Sequence, residues 1–364
     1  MERLNVLREK LINEIGGVRS LGEDRESWLY CLGQIPKSRY VPLQYKPGFL
    51  EYQSEYFQSV YDGYADCSMV LYRGGTRVGI WPLCMYYQQG RLHFGTAGAA
   101  LMGPLFSALP KAEAQRNVIE TCLQGAFNII RQEQGAPLRC SETVLDQGNS
   151  QWMKKLMEHG ARTVKVTWQA FADLSLSPEE VQSRIRRTNK YSAARGREEY
   201  HIEIYDCKSS CLDRIFREFH DMHRKVSGRE TRNQKTWDIQ ENLVRDKDER
   251  HGRSFVVFIR DKETGLLAGS ALFDSTPQTG LYCVAAYDRS RFSKPVGHIV
   301  QAVAMERMRA YGLRWYEIGE RAYPSDEGSD PKLVNIGHYK EGFATHLFPR
   351  VFVELSCNDF EKSK

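Results

Sequence analysis

Residues 254–319 read SFVVFIRDKETGLLAGSALFDSTPQTGLYCVAAYDRSRFSKPVGHIVQAVAMERMRAYGLRWYEIG, and this stretch decides the fold. SFVVFIRD (254–261), GLLAGSALFD (265–274) and GLYCVAAYD (280–288) are apolar, β-rich runs joined by short turns. That pattern predicts three consecutive antiparallel strands. Over 296–311, Val296, Val300, Ala304 and Met308 recur at i, i+4 spacing, which predicts a helix with one buried face. WYEIG (315–319) then predicts one more short strand.

The same order occurs earlier, across 67–140. CSMVLYR (67–73), TRVGIWPLCMYY (76–87) and RLHFG (91–95) predict three consecutive antiparallel strands. A helix follows over 112–133, with Ile119, Leu123, Ala126, Phe127 and Ile130 at helical spacing, and then a strand near 137–143. Sequence identity between the two stretches is negligible, so the repeat is one of pattern. A three-strand meander feeding a helix and a further strand is the central piece of the GNAT-like (acyl-CoA N-acyltransferase) fold. Two copies predict a duplicated α+β architecture, divided into an N-terminal half (1–170) with an irregular opening segment and a C-terminal half (171–364). Within this frame the chain opens as a helix to about Ile15, and 20–65 reads as irregular with short helices. A short helix near 150–159 precedes a strand at 163–173. Ser177-Pro178-Glu179-Glu180 has the form of a capping box and starts a helix predicted to run to about Glu199. The strand HIEIYD (201–206), helices over 208–225 and 235–246, and a strand at VFVEL (351–355) complete the reading.

The composition is that of a globular protein: 364 residues, 41% hydrophobic and 27% charged. The net charge of +5 is too small for a dedicated nucleic-acid binder and suits anionic substrates. No apolar run approaches the roughly 18–20 residues of a membrane span. The charged start MERLNVLREKLINEIGG lacks a signal-peptide core. Nine scattered cysteines without a C-x-x-C pair fit a reduced, cytoplasmic protein.

Three segments carry a resemblance: 223–240, 285–326 and 332–350. The last contains Tyr339-Lys340-Glu341-Gly342-Phe343-Ala344, and it resembles the FemAB-type family's signature of aromatic, Lys, two residues, aromatic, small. Tyr339, Ala344 and Glu317 stand where Phe, Gly and Asp are commoner. The likeness covers about 170–355 and, more narrowly, resembles the FemAB-like proteins of bacterial surface-polysaccharide genes. It implies a duplicated GNAT fold and transfer of an acyl or aminoacyl group to an amine, here of a phosphate-bearing or nucleotide-linked sugar in cell-envelope polysaccharide biosynthesis. The donor it implies is acyl-CoA (acetyl-CoA), with aminoacyl-tRNA as the alternative and no metal. Two alternative activities stay open: an aminoacyl-tRNA-dependent peptidoglycan-precursor ligase with tRNA as partner, and a non-catalytic glycan-binding protein on the same fold.

The candidate residues follow from this chemistry. Lys340 is the first: acyl transfer passes through an oxyanion that a cation in a dry site stabilises. Glu320, Glu317 and His298 are candidate bases for the acceptor amine. Arg184, Arg187 and Lys190 lie on the predicted basic helix, suited to phosphate. Arg229 and Arg232 precede Trp237, a candidate stacking surface. Tyr287 and Arg289 border the loop into the helix at Gly297, where acetyl-CoA users carry a glycine-rich phosphate loop; that loop's usual glycine pattern is absent. Tyr339 is a candidate pocket wall or hydrogen-bond donor. His220-x-x-His223 has no third metal ligand at suitable spacing, Cys207 and Cys211 have no His partner pattern, and no phosphate-loop motif occurs in the chain.

Overall fold

The structure is a computed structural model and describes residues 2–109, 111–145, 148–291, 295–326 and 328–363. Helix α1 (Glu2–Ile15) opens the chain, followed by strand β1 (Val18–Ser20) and helices α2 (Arg25–Gly33) and α3 (Pro47–Gln58). Strands β2 (Gly63–Asp66), β3 (Met69–Arg73), β4 (Thr76–Trp81), β5 (Cys84–Gln88), β6 (Arg91–Gly95) and β7 (Leu105–Phe106) come next. Then come α4 (Ala112–Glu133), β8 (Leu138–Thr143), α5 (Gln151–Glu158), β9 (Arg162–Asp173), α6 (Pro178–Arg184) and α7 (Arg187–Glu199). The chain continues through β10 (Tyr200–Tyr205), α8 (Leu212–Ser227), α9 (Gln234–Arg245), β11 (Phe255–Asp261), β12 (Leu267–Ser275) and β13 (Thr279–Tyr287). It closes with α10 (Val296–Ala310), β14 (Trp315–Arg321), α11 (Pro331–Glu341), β15 (His346–Leu355) and α12 (Cys357–Lys362).

These elements form two compact units, and neither is continuous in sequence. The first comprises Met1–Ile35, Gln44–Val166 and Pro349–Lys364; the second comprises Pro36–Leu43 and Thr167–Phe348. Relative to a linear division at residue 170, Pro36–Leu43 groups with the later residues and the C-terminal segment with the earlier ones.

In the first unit, β1, β3, β4 and β7 form one antiparallel sheet and β2, β5 and β6 another. The run 76–87, expected as one strand, is two strands in different sheets. Pro82 separates them; it has no N–H to give to a ladder and its φ is fixed. Helix α4 buries Ile119, Leu123, Ala126, Phe127 and Ile130, each at most 2% exposed. The end of β15 pairs antiparallel with β8, from Arg350↔Thr143 to Leu355↔Leu138. Phe360 of α12 stacks on Phe127 at 4.3 Å.

In the second unit the strand order is β10-β11-β12-β13-β14-β9. Every neighbouring pair is antiparallel except β13 and β14, which are parallel because α10 carries the chain back between them. Alternate residues of β11 face opposite sides. Phe255, Val257 and Ile259 share a core with Val296, Ile299, Val300, Val303, Ala304 and Met308 of α10. Val256 and Phe258 share the other with Ile215, Phe219 and Trp237 of α8 and α9. The architecture is α+β, and the expected order of three strands, helix and strand is present as β11-β12-β13-α10-β14.

The capping box at Ser177 and Glu180 forms as predicted. The helix it starts does not run to Glu199. Ile185 and Arg186 are extended, with ψ of 135° and 134°. Ile185 is buried, and the Arg186 amide donates to the carbonyl of Gly342 at 2.9 Å. Anchoring these two residues outside the helix separates α6 from α7. Arg184 and Arg187 therefore do not share a continuous helical face. No helix among the described residues is long and apolar enough to cross a membrane.

Gly252 has φ of +100°, and a Cβ there would overlap the Ser275 carbonyl oxygen. Gly252→Ala is expected to lose roughly 3 kcal/mol through strain, against about 1 kcal/mol for removing the Ser177 cap in Ser177→Ala. Urea unfolding midpoints of the two variants check that order.

Candidate functional site

The site is built where β13 and β14 part. Their parallel pairing covers Thr279↔Trp315, Gly280↔Tyr316 and Leu281↔Glu317. Beyond it, β13 stays with β12 as far as Tyr287, while β14 stays with β9 as far as Arg321. A register shift between Glu317 and Gly319 bends β14 at that point. The result is a wedge between the C-terminal ends of two strands, bordered by the N-terminus of α10 and by α11.

Tyrosines line the wedge. Tyr282 and Tyr287 of β13 share a hydrogen bond between hydroxyls at 2.8 Å. Tyr316 donates to Gln301 Oε1 at 2.5 Å, and both side chains are fully buried. Tyr339 of α11 donates to the Gly297 carbonyl at 2.6 Å, tying α11 to the first turn of α10. Burial pushes the Tyr282 hydroxyl up to about 12 and that of Tyr339 well above its ordinary value, so both remain hydrogen-bond donors at neutral pH. The His298 ring meets Tyr339 edge-on at 5.1 Å and lies 5.8 Å from Phe343. Burial lowers the pKa of His298, favouring the neutral imidazole that a general base requires.

Lys340 is the penultimate residue of α11 and is partly buried. Its ammonium lies against Gly319, where φ is +122° and a Cβ would collide with Nζ. Glycine at 319 thus serves both the backbone conformation and the approach of the cation. Burial lowers the Lys340 pKa; the charges of Glu317 and then Glu320 oppose that effect. Glu317 is 7% exposed and accepts a hydrogen bond from the Tyr40 hydroxyl at 2.7 Å. Glu320 is exposed. Arg321, next along β14, pairs with Glu341 at 3.0 Å, and Arg186 approaches the same carboxylate at 3.5 Å.

Glu317 and Glu320 act on Lys340 through their charges, and the structure gathers Tyr339, His298 and Tyr287 into an adjoining group. The other candidates have other partners or are exposed. Arg184 meets His346 at 3.3 Å, Arg187 is exposed and Lys190 half-buried. Arg289 is exposed in a short turn whose Arg291 pairs with buried Asp261 at 2.8 Å. Residues 292–294 of the loop into α10 lie outside the described residues. Arg229, Arg232 and Trp237 belong to the α8–α9 side of the sheet. Trp237 is 2% exposed, stacked by His220 at 4.8 Å and met edge-on by Phe219, so its ring is a core element. Arg232 donates to His223 Nε2 at 3.1 Å. Among the described residues, no cluster of His, Cys, Asp and Glu is arranged to hold a metal ion. The sequence reading missed Tyr40, Gly319 and Gln301. Only Gly319, a glycine within a strand, carries a local signal, that of a bulge or close approach.

No known family profile matches the sequence, and no curated protein matches it. Solved structures do. FemX superposes with a TM-score of 0.62 at 12% identity, over 89% of this chain and 98% of that one. The C-terminal domain of a putative lysylphosphatidylglycerol synthetase from Agrobacterium fabrum gives a TM-score of 0.57 at 13% identity, over 94% of this chain and 95% of that one. L-PGS from Bacillus licheniformis gives 0.53 at 12%, over 85% and 91%. The chain therefore has a FemX-like fold.

His223 supplies a pH signature for the α8–α9 cluster. Burial, and then the Arg232 charge, push its pKa down to about 4, against an ordinary value near 6.5. Between these values the unfolded chain binds the proton and the folded chain does not, so stability falls as pH drops from about 6.5 to 4. His223→Gln is expected to flatten that decline. Urea midpoints at pH 7 and pH 5 check it.

Proposed function

We propose that this protein is a transferase. It moves an acyl or aminoacyl group directly onto an amine of a phosphate-bearing sugar or cell-envelope glycan precursor, in the cytoplasm. The observation that carries the reading is Lys340: a partly buried ammonium lying against Gly319 at the mouth of a strand wedge. The FemAB-like fold supports the same reading. A thioester or ester carbonyl seated in the wedge is attacked by the acceptor amine. A C–N bond forms while the C–S or C–O bond to the leaving group breaks. Lys340 faces the oxyanion, and desolvation strengthens that interaction. Glu317, or the neutral imidazole of His298, takes the proton the amine loses and returns one to the leaving group. The amides at the start of α10 and the exposed Arg289 would hold phosphates of an acyl-CoA donor. No side chain acts as a covalent carrier in this scheme.

A tRNA ester as donor is favoured by one feature. Arg187, Tyr191 and Arg195 follow at i, i+4 and i+8 along α7, and Tyr191 is 70% exposed. Such a face suits a phosphate backbone with a base stacked on the ring. If it is used, binding of aminoacyl-tRNA weakens steeply with salt, and Tyr191→Ala weakens it while acetyl-CoA binding stays unchanged. Filter binding at two salt concentrations reads this.

Lys340→Met is expected to lower turnover by about a hundredfold or more while leaving the melting temperature nearly unchanged. The assay follows thiol release from acetyl-CoA and the product mass with a panel of nucleotide-linked amino sugars. Undiminished turnover in Lys340→Met would remove the oxyanion role.

A further inference from the structure

In the first unit, three elements distant in sequence bring an acid, an imidazole and a hydroxyl into one row. His159 Nε2 lies 2.8 Å from Glu120 Oε2, and His159 Nδ1 lies 2.5 Å from Ser363 Oγ. Glu120 belongs to α4, His159 follows α5 directly, and Ser363 follows α12. His159 is 5% exposed, Glu120 is half-buried and Ser363 is exposed. An aromatic anchor fixes the row. Phe360 of α12 is fully buried, stacks on Phe127 and lies 4.6 Å from the His159 ring. Ser363 comes one helical turn after that anchor.

The protonation of the row follows from its partners. Burial opposes ionisation of Glu120, but hydrogen bonds from Lys155 and His159 outweigh it and hold the Glu120 pKa below its ordinary value. An ionised carboxylate only accepts, so Nε2 carries the imidazole proton and Nδ1 presents its lone pair to Ser363. The serine hydroxyl has one proton to give. The Phe360 carbonyl lies 2.8 Å from Oγ, and Nδ1 at 2.5 Å is the nearer acceptor. A hydroxyl facing a base that a third group orients is the arrangement of an activated nucleophile.

The row borders a groove of about 570 Å³, whose lining also includes Glu14, Thr121, Gln124 and Lys155. That volume suits a small molecule. Lys155 pairs with Glu120 at 2.9 Å and gives the lining a cation, while exposed Glu14 adds a negative charge that disfavours anionic ligands.

We propose that Ser363, His159 and Glu120 form a catalytic site of the first unit's own, one that cleaves small carboxylic esters carrying no negative charge. Ser363 Oγ forms a bond to the acyl carbon while its proton passes to His159 Nδ1. The bond from that carbon to the alcohol oxygen breaks, and the alcohol leaves with the proton. Water, deprotonated by the same imidazole, then releases the carboxylic acid and restores the serine. Glu120 stays ionised throughout and holds the imidazolium; the Lys155 ammonium supplies positive charge for the oxyanion. This chemistry is independent of the role given to Lys340.

The test uses the full-length chain and two probes. A fluorophosphonate reports the nucleophile, with the labelled residue located by peptide mass spectrometry, and p-nitrophenyl acetate reports turnover. Ser363 is expected to label ahead of the other serines, and Ser363→Ala to lose both the label and the ester turnover. His159→Gln is expected to slow labelling about a hundredfold. Glu120→Gln keeps the size of the side chain but no longer fixes the tautomer, and is expected to slow it about tenfold or more. Melting temperatures accompany each variant, so that a loss of folding is separated from a loss of reactivity. An unlabelled Ser363 in the wild type, labelling unchanged by both His159→Gln and Glu120→Gln, or ester turnover that survives Ser363→Ala would overturn the proposal. Lowered melting temperatures with Ser363 unlabelled would overturn it too, leaving the row as a latch for α12.

Discussion

A parallel strand pair that stops after three residue pairs is the constraint on which the site depends. Once β13 and β14 part, the groups that would have filled a continuous ladder border a wedge. The chain fills that wedge with side chains that are large, apolar along the ring and polar at the tip. Tyr282, Tyr287, Tyr316 and Tyr339 fit that description, and each hydroxyl that faces inward has a named partner or neighbour. The bend between Glu317 and Gly319 does the rest: it moves β14 away from β13 and turns its next residues towards α11.

Placing an ammonium in such a position is costly unless the charge is answered. The charges of Glu317 and Glu320 favour the charged form of Lys340, and the Glu317 carboxylate accepts from the Tyr40 hydroxyl. Gly319 makes the approach sterically allowed, and the Arg321–Glu341–Arg186 group occupies the neighbouring charges so that they do not compete for Lys340. A cation held in this way, partly desolvated but not neutralised by a close bidentate partner, is suited to meeting a negative charge that exists only during reaction. The same desolvation acts on His298 and favours its neutral form. A partly buried cation and an imidazole that burial favours as neutral thus both border the wedge, and among the described residues no metal ligand set accompanies them.

The sequence carried the parts of this account that depend on local periodicity. Helix α4, the three strands β11 to β13 and helix α10 follow from apolar spacing, and the capping box at Ser177 from four consecutive residues. Lys340, Glu317 and His298 stood out as candidates through the chemistry that acyl transfer requires and through the family resemblance. What escaped depends on contacts distant in sequence. Ile185 and Arg186 break a helix because one is buried in the core and the other bonds to Gly342, which no helical pattern reveals. Trp237 looked like a stacking surface because a tryptophan after an arginine-rich loop has that composition; the fold puts His220 and Phe219 against it. Tyr40 lies in a stretch without periodicity, and its bond to Glu317 follows from the bonds that carry Pro36–Leu43 into the second unit.

The central claim is that donor binding and transfer occur at the wedge of the second unit. Hydrogen–deuterium exchange of the full-length protein, with and without acetyl-CoA and then with and without an aminoacyl-tRNA, tests it most directly. With a donor present, slowed exchange is expected at the end of β13, the first turns of α10 and the C-terminal turn of α11. Protection confined to the first unit, or no protection by either donor, would contradict the account.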